Sequence, residues 1–503
     1  MRATPERKPY ALAAANHLTS KPIRCPNQVE CPRLTSHSHQ ELASDWRDDE
    51  DTFDDDDGAQ YHARSSAKWI LGVIVVQVVC QLALLFEQLA PLRLIFRVSS
   101  FGFSVFAFAM LVGSSGYLGN APAKKLAIAV LLIVAFNIVI HPTTSSLVGG
   151  LATLGFYFAI IAPVFWVPNL IVTRDLFTKL IWAIFLFHLL STTFGVLQTF
   201  YPGRFQPALS KVISNSIYKG DNLKITLADG QEAYRPMGLT DIPGGAGVAG
   251  FYTVVFGLGI WLTSNRQMAK VIGAVGIFLG AYCIYLSQVR SLLVLIAIIA
   301  IALFFVSIRL GRIKFAVQVA ILIPVVLVGA FAWATMIGGE ATVDRFSTLM
   351  DGSPTDVYQQ NRGGFLAHTL YVLLPEYPLG AGLARWGMMN AYFGGLNRAA
   401  YPIWAEIQWT GWLLDGGVPL VIFYPLAVAI AAWNTYRAAF YSPDEWLSGW
   451  GLLLVAYSVG LFAQTFGSVP FSSQFGLEFW LLQSAFWSCT EQSTIDDGEI
   501  DLA

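Results

Sequence analysis

Residues 291–307 read SLLVLIAIIAIALFFVS, a run of seventeen positions without a charged side chain. Arg290 precedes this run and Arg309 follows it closely. An α-helix needs about 20 mainly apolar residues, with about 17 as the lower limit, to cross the hydrocarbon core of a bilayer. That core holds no water, so a backbone that crosses it must satisfy its own hydrogen bonds, as a helix does. The run therefore predicts a membrane-spanning helix.

The whole chain has the composition of a protein embedded in lipid. Hydrophobic residues make up 55% of its 503 positions and charged residues only 13%, whereas soluble globular proteins have about 25% charged residues. We place apolar runs at twelve positions: 69–86, 94–113, 126–140, 147–166, 178–200, 245–263, 271–287, 291–307, 315–335, 408–432, 447–466 and 475–488. The sequence therefore predicts an all-α fold, a polytopic membrane helical bundle of about twelve transmembrane helices, with short amphipathic helices in a large outer loop.

Basic residues in the short loops predict the orientation of the bundle. They are Lys124 with Lys125, Arg174 with Lys179, Arg266 with Lys270, Arg309 with Arg312 and Lys314, and Arg437. All lie on one face of the predicted membrane if the N-terminus is cytoplasmic, which is the pattern of cytoplasmic loops. We therefore expect a multi-pass protein with both termini in the cytoplasm. The opposite, outer face then carries two long loops, residues 201–244 and 338–405.

The ends of the chain differ in composition from its middle. Residues 1–68 lack a sustained apolar run and include nine carboxylates within residues 45–57, so we expect a disordered acidic cytoplasmic tail. Residues 69–488 form the transmembrane domain, and residues 489–503 form a second acidic tail. The first apolar run begins only near Trp69, so no N-terminal signal peptide is apparent. Alternating side chains at 222–227 and a turn at Asp229-Gly230 predict a small β-hairpin in the first long loop.

Three arginines on the predicted outer face are the first candidates for a functional site: Arg235, Arg290 and Arg362. An arginine between two spans is costly unless it reaches a cavity, a partner or a phosphate. Guanidinium groups bind phosphate through two parallel hydrogen bonds and stay charged at any relevant pH. Three that converge would hold a pyrophosphate. Interfacial arginines also extend to lipid headgroups without a further role, so that alternative stays open.

Glu406 is the candidate catalytic base. It lies at the outer end of the tenth predicted span, where partial burial makes a carboxylate more basic and suits it to general-base catalysis. A carboxylate at a helix start is also stabilised by the helix dipole, by about 0.3–1 kcal/mol, and this alternative has equal weight. We expect Arg345, Arg385 and Arg398 to lie at the surface of the second long loop. The outer loops show no clustered His or Cys and no nucleotide-binding motif, so we expect neither a metal nor a cofactor.

Four segments follow one another as in a known family. They are FGVLQ at 194–198, RPMG at 235–238 with Pro243, SQVR at 287–290, and Arg362 followed by EYPLGAG at 376–382. With these segments, and with LLDGG at 413–417 in support, the chain resembles the O-antigen ligase and O-antigen polymerase superfamily of membrane glycosyltransferases. The histidine–asparagine pair that such ligases carry after the large loop stands here as Glu406-Ile407. This difference favours a polymerase or another divergent member.

The resemblance implies a metal-independent enzyme of bacterial surface polysaccharide synthesis, of O-antigen or exopolysaccharide. It would polymerise or ligate glycans from an undecaprenyl-pyrophosphate donor at the outer face of the inner membrane. Arg235, Arg290 and Arg362 would hold the pyrophosphate and stabilise charge on the leaving group, which makes Arg290 a catalytic residue too. Glu406 would activate the acceptor hydroxyl. The implied partners are the lipid-linked oligosaccharide, membrane lipid and other polysaccharide-assembly proteins, with no nucleic acid.

Two other function classes stay open. A transporter, of inorganic ions or of the lipid-linked glycan, would place polar groups near the middle of the membrane and break helices there. The polar residues inside predicted spans do not pair by spacing; they are Gln77, Gln81, Asn137 and His188. A scaffold for glycan assembly would dock through its acidic tail. The candidate residues cluster at the outer boundary instead, and this favours the transferase.

Overall fold

Helices account for most of the chain that the structure describes. The structure is a computed structural model, and it describes residues 55–115, 121–205, 224–226, 232–347, 356, 358–394 and 401–500. The predicted bundle of helices is confirmed. Most of the predicted N-terminal tail, residues 1–54, lies outside the described residues.

Within the described residues, seven helices precede the hairpin of the first long loop. They are α1 (Asp55–Ala83), α2 (Arg93–Ser115), α3 (Lys124–Ile140), α4 (Leu147–Ile161), α5 (Pro163–Trp166), α6 (Arg174–Phe200) and α7 (Pro202–Phe205). Turns of 3-10 helix lie at Glu87–Leu92 and Val167–Asn169. The start of α4 is fixed by the Ser146 hydroxyl, which accepts the Gly149 N–H at 2.9 Å. Thr173 caps α6 in the same way, at 3.2 Å from the Leu176 nitrogen.

A small hairpin interrupts the helices where the sequence predicts one. Its strands are β1 (Lys224–Thr226) and β2 (Glu232–Tyr234), which pair antiparallel with Ile225 opposite Ala233. The predicted turn at Asp229-Gly230 lies outside the described residues.

Ten further helices complete the described fold. They are α8 (Gly245–Thr263), α9 (Gln267–Leu286), α10 (Arg290–Arg309), α11 (Ile313–Ser347), α12 (Gly364–His368), α13 (Leu374–Glu376), α14 (Gly387–Phe393), α15 (Gln408–Tyr441), α16 (Glu445–Gln464) and α17 (Gln474–Ile500). Single π turns at Gln359–Gly363 and Thr369–Leu373 join α12 and α13 into one continuous helix, residues 359–376, called the loop helix below. A 3-10 turn at Pro470–Ser472 precedes α17.

Each of the twelve predicted spans falls on a helix. Within the described ranges, nine helices are long and apolar enough to cross a membrane, and α4 with Pro163–Asn169 forms a further candidate broken by a 49° bend. This is compatible with a multi-pass membrane protein. α3 has only 17 residues, and α17 intersperses Gln474, Glu478 and Gln483 among its apolar residues. The total of twelve spans therefore stays a prediction.

The basic short loops and the two long loops lie at opposite ends of the bundle. At one end of α6, Arg174 pairs with Asp444 at 2.8 Å, beside Glu445, which pairs with Arg312. At the other end of α6 lies the segment that leads from the first long loop into α8. We call this second end the loop end. Basic short loops and long loops therefore alternate between the two ends of the bundle, as the sequence predicts. Which end faces the cytoplasm stays a prediction.

Close contact between α8 and α9 is the core of the bundle. α8 is the most buried of the candidate spans, with 83% of its most apolar window inside the protein. A Cβ added at Gly250 would lie 2.7 Å from the Gly280 carbonyl oxygen, and one at Gly257 would lie 2.9 Å from the Gly273 carbonyl oxygen. Small residues let helix backbones approach closely where the surrounding lipid provides no hydrophobic driving force. These four glycines therefore set the distance between α8 and α9.

Replacing Gly280 by leucine is expected to force α8 and α9 apart, because its Cβ would lie 2.5 Å from the Gly250 carbonyl oxygen. Overpacking of this kind costs about 1–3 kcal/mol, so we expect Gly280→Leu to lower the Tm of the detergent-solubilised protein by several degrees. Gly329→Leu in α11 is the matched control, since the nearest atom to its Cβ is 3.8 Å away. Equal losses in the two variants would contradict this description of the core.

Candidate functional site

Two predicted site residues, one within the second long loop and one directly after it, are paired in the structure. A guanidinium nitrogen of Arg362 donates to a carboxylate oxygen of Glu406. Their side chains are 41% and 25% exposed, so the pair is open to a solute. Arg362 also lies 5.9 Å from the centre of the Phe365 ring. The pair thus combines an anion-binding group with a proton acceptor at one accessible point.

Gln408 fixes the position of Glu406, and the sequence analysis did not identify it. Its backbone N–H donates to the carbonyls of Thr465 and Ser468, at 3.0 and 2.9 Å. Its side chain accepts the Phe471 N–H at 2.9 Å and donates to the Ser472 hydroxyl at 3.1 Å. Gln408 is fully buried. Gln408, two residues after Glu406, is therefore hydrogen-bonded to the connection between α16 and α17, and this restricts where Glu406 can lie.

The loop helix is attached to the same region by hydroxyl groups. The Thr369 and Thr410 hydroxyls lie 2.6 Å apart and connect it to α15. The Tyr358 hydroxyl, just before the loop helix, donates to the Phe466 carbonyl at 3.3 Å. Separate hydrogen bonds therefore position Arg362 and Glu406. Their contact depends on how the loop helix packs against the start of α15.

The glycine-rich turn after the loop helix packs directly on the backbone of α15. Ala381 N–H donates to the Leu414 carbonyl at 2.7 Å, and Val418 N–H donates to the Pro378 carbonyl at 2.9 Å. Gly380 has a φ of +108°, and a Cβ there would lie 3.1 Å from the Leu414 carbonyl oxygen. The segments EYPLGAG and LLDGG, which carry the family resemblance, thus form a backbone joint. This joint holds the end of the loop helix against α15.

Arg385 is buried, and the prediction that it lies at the surface is wrong. Its guanidinium donates to the Ala381 carbonyl at 2.7 Å and to the Tyr401 carbonyl at 3.1 and 3.2 Å. It also lies 5.8 Å from the centre of the Tyr377 ring. Carbonyl groups that a tight turn directs inward need hydrogen-bond donors. Arg385 therefore has a structural role, because it donates to these carbonyl groups. The side chains of Arg345 and Arg398 lie outside the described residues.

Arg235 lies half-buried where the first long loop enters α8. Its Nε is buried and has no hydrogen-bond partner in the part of the chain that the structure describes. Burial lowers the pKa of the Arg235 guanidinium from its ordinary value. Its terminal nitrogen approaches Gly244 so closely that a Cβ there would be 3.0 Å away. A bound anion would compensate the solvation that Arg235 has lost.

Gln198 shapes the segment that follows Arg235. Its amide oxygen accepts the N–H groups of Met237 and Gly238 at 3.0 and 2.7 Å, and its amide nitrogen donates to the Gly238 carbonyl at 2.8 Å. The FGVLQ and RPMG segments are therefore parts of one buried network.

Arg290 opens α10 after a tight turn. Gln288 in that turn has a φ of +56°, which is uncommon for a residue other than glycine. Gly247, in the first turn of α8, packs against the same turn: a Cβ added there would lie 3.2 Å from Ser287 and 3.3 Å from Val289. The segments that carry Arg235 and Arg290 therefore meet at the start of α8. Convergence of both with Arg362 on one ligand stays a prediction.

An ion cluster at the start of α2 was not foreseen. Arg93 and Arg97 both donate to Asp241, in the segment between Arg235 and α8. The two Arg97–Asp241 distances are 2.7 and 2.8 Å. The i, i+4 spacing of the two arginines at the start of a predicted span was the available signal. Two guanidinium groups therefore share the Asp241 carboxylate and join α2 to the entry of α8.

A second polar cluster lies inside the bundle, where sequence spacing indicated no pairing. Glu478 of α17 is buried and accepts the Gln474 amide at 2.6 Å. Tyr252 of α8 interacts with Glu478 and Tyr457, and its ring stacks on His188 with centroids 4.2 Å apart. A buried carboxylate inside a predicted membrane bundle is costly and is commonly functional.

Comparison with protein-family models found no match, and comparison with curated proteins found none either.

Removing the Arg385 guanidinium is expected to destabilise the second long loop. Arg385→Met would leave the Ala381 carbonyl with only the Thr143 hydroxyl as donor and would remove the guanidinium donors from the Tyr401 carbonyl. A lost hydrogen bond of a buried group costs about 1–3 kcal/mol. We expect faster limited proteolysis within residues 377–405 and a lower Tm. Arg204→Met, at an exposed arginine of the first long loop, is the control and should change neither. Unchanged proteolysis of Arg385→Met would contradict the structural role.

Proposed function

We propose that the protein is a membrane glycosyltransferase of bacterial surface polysaccharide synthesis that takes its glycan from a polyprenyl-pyrophosphate donor. The observation that carries this proposal is the accessible Arg362–Glu406 pair. A guanidinium suits a phosphate oxygen, and a carboxylate suits the proton of a sugar hydroxyl. The loop helix and α15 bring these groups together from positions 44 residues apart.

The pair fits a reaction in which donor binding activates the base. Without a ligand, Arg362 holds Glu406 in an ion pair. When the pyrophosphate binds, Arg362 turns its donors to the phosphate oxygens and leaves a Glu406 oxygen free to accept the acceptor hydroxyl proton. The acceptor oxygen then forms a bond to the anomeric carbon, the bond between that carbon and the pyrophosphate oxygen breaks, and the electron pair leaves with the pyrophosphate. Arg362 stabilises the charge that develops there.

Arg235 and Arg290 would complete the donor site. Arg235 contacts Gly244 just before α8, and the turn that precedes Arg290 packs on Gly247 in the first turn of α8. Within the described residues, the buried Nε of Arg235 has no hydrogen-bond partner. Pyrophosphate presents several oxygens, and a second guanidinium would hold those that Arg362 does not reach. Positioning of this kind lowers the activation free energy, because the reactants have already lost their translational and rotational freedom on binding.

A transporter is the second candidate, and one observation favours it. Glu478, Tyr252, Tyr457 and His188 form a polar cluster inside the bundle, as a proton- or ion-coupled carrier requires. Deleting the gene in its host separates the classes. Single repeat units without long chains indicate a polymerase, and long chains stranded on the lipid carrier indicate a ligase. Unchanged glycans with altered solute or ion uptake would overturn the transferase.

Arg362→Gln and Glu406→Gln are expected to fail to restore glycan synthesis in the deletion strain while the protein remains folded in the membrane. Loss of a general base lowers rates by about 10²–10⁴-fold, and loss of a charge-stabilising donor lowers them by about 10²–10³-fold. The exposed Arg312–Glu445 pair, 3.3 Å apart at the opposite end of the bundle, provides the matched controls.

Arg312→Gln and Glu445→Gln should leave the glycan pattern unchanged, because a surface ion pair contributes about 0–1 kcal/mol to stability. Folded Arg362→Gln and Glu406→Gln variants with full synthesis would contradict the proposed site.

A further inference from the structure

Two large aromatic side chains are exposed beside the Arg362–Glu406 pair. Tyr401 and Trp404 are 72% and 59% exposed, and both lie in the irregular segment 401–406 that leads into α15. An extended chain spans at most about 3.6 Å per residue, so the Cα atoms of Trp404 and Glu406 are no more than about 7 Å apart. A ligand bound at Glu406 is therefore within reach of the Trp404 indole.

Arg385 and Pro402 fix the backbone that carries these two side chains. The Arg385 guanidinium donates to the Tyr401 carbonyl at 3.1 and 3.2 Å, and the Ile403 N–H donates to the Arg385 carbonyl at 2.8 Å. Between them, the Pro402 ring restricts its own φ angle and favours an extended conformation at Tyr401. Aromatic side chains lose little conformational entropy when they bind a ligand. The segment therefore presents two rings in a preformed arrangement.

The faces of these rings suit a sugar. An aromatic face carries partial negative charge, and a pyranose ring presents C–H groups with partial positive charge on its flatter face. Stacking leaves the sugar hydroxyls at the edge of the ring, where the charged groups of Arg362 and Glu406 can bond to them. An ion pair beside an aromatic surface therefore matches the mixed apolar and polar surface of a carbohydrate.

Tryptophan and tyrosine are also common where a spanning helix meets the lipid headgroups. Trp433 and Tyr441 have that position, because they lie toward the far end of the candidate spanning helix α15. Their exposed fractions equal those of Trp404 and Tyr401. The latter two differ because they precede the helix and adjoin the ion pair. Their position therefore favours a glycan over lipid.

We propose that Tyr401 and Trp404 form an aromatic platform on which a sugar ring of the acceptor glycan stacks, with its attacking hydroxyl directed to the Glu406 carboxylate. The inference rests on the proposed function, which supplies a glycan as acceptor. It adds that the acceptor is recognised through the C–H face of a sugar and not through its charge. The platform residues bind and orient the acceptor, whereas Arg362 and Glu406 act on the reacting atoms.

Each platform residue has a counterpart of the same type and the same exposed fraction toward the opposite end of the bundle. Trp404→Ala and Tyr401→Ala remove the platform, and Trp433→Ala and Tyr441→Ala are their matched controls. All four side chains are exposed, so we expect the Tm of each variant to stay close to that of the unaltered protein.

The test uses full-length protein in phosphatidylcholine nanodiscs. The probe is the oligosaccharide that mild acid releases from lipid-linked oligosaccharide of the deletion strain, labelled at its reducing end with a fluorophore. We expect Trp404→Ala and Tyr401→Ala each to raise the Kd of this probe by about tenfold, a change that corresponds to about 1.4 kcal/mol. The two control variants should bind it like the unaltered protein. Trp404→Phe, which keeps an aromatic face, should recover part of the affinity.

A second measurement distinguishes a sugar from lipid without the alanine variants. In protein that contains fluorotryptophan, the Trp404 resonance is assigned by its absence in Trp404→Phe and the Trp433 resonance by its absence in Trp433→Phe. Adding the oligosaccharide should shift the Trp404 resonance and leave that of Trp433 in place. A phosphatidylcholine that carries a nitroxide should broaden the Trp433 resonance more than the Trp404 resonance.

Two outcomes would overturn the platform. One is a Kd that Trp404→Ala or Tyr401→Ala leaves unchanged. The other is a Trp404 resonance that the lipid nitroxide broadens and the oligosaccharide does not shift, which would assign the ring to the lipid interface.

Failure of the proposed function gives a different result. Weaker probe binding by both platform variants, together with full glycan synthesis by Arg362→Gln and Glu406→Gln, would retain the glycan site and reject the catalytic pair. Synthesis that depends on this pair, with probe binding unchanged in both platform variants, would reject the platform and retain the proposed function.

Discussion

The absence of water from the hydrocarbon core of a bilayer is the constraint on which the rest of this structure depends. It requires each crossing segment to bond its own backbone groups, and nine described helices have the length and composition to do so. It also removes the hydrophobic attraction between helices, so contact requires close backbone approach. The glycines that α8 and α9 present to each other provide that approach.

The same constraint explains why the candidate chemistry lies at one end of the bundle. Inside the described bundle, the buried carboxylates Asp415 and Glu478 accept hydrogen bonds from the neutral groups of Tyr157 and Gln474. The loop end carries the Arg362–Glu406 pair and the Arg93–Arg97–Asp241 cluster. In the described part of the second long loop, the turn after the loop helix bonds to the backbone of α15, and the Arg385 guanidinium donates to the Ala381 carbonyl of that turn. A loop built in this way can hold a guanidinium and a carboxylate at a fixed separation.

The sequence predicted the helices better than the contacts between them. Long apolar runs are local signals, so every predicted span falls on a helix. Arg362 and Glu406 were both identified, but their pairing depends on how the loop helix and α15 pack, which a local pattern does not contain. Arg385 was misplaced because a charged loop residue is normally exposed, while here the folded turn gives it buried acceptors. Asp241 was missed because it is a lone carboxylate whose two arginine partners lie 148 and 144 residues away. Glu478 was missed because Tyr252 reaches it from another helix.

We propose that the residues at the loop end transfer a glycan from a lipid pyrophosphate and do not move it across the membrane. Its most direct test is to place the purified protein in liposomes with lipid-linked oligosaccharide extracted from the deletion strain. The amount of free polyprenyl pyrophosphate is then measured over time. A transferase should release polyprenyl pyrophosphate together with longer glycans. Translocation of intact lipid-linked oligosaccharide without any release of polyprenyl pyrophosphate would rule out the transferase and favour a transporter.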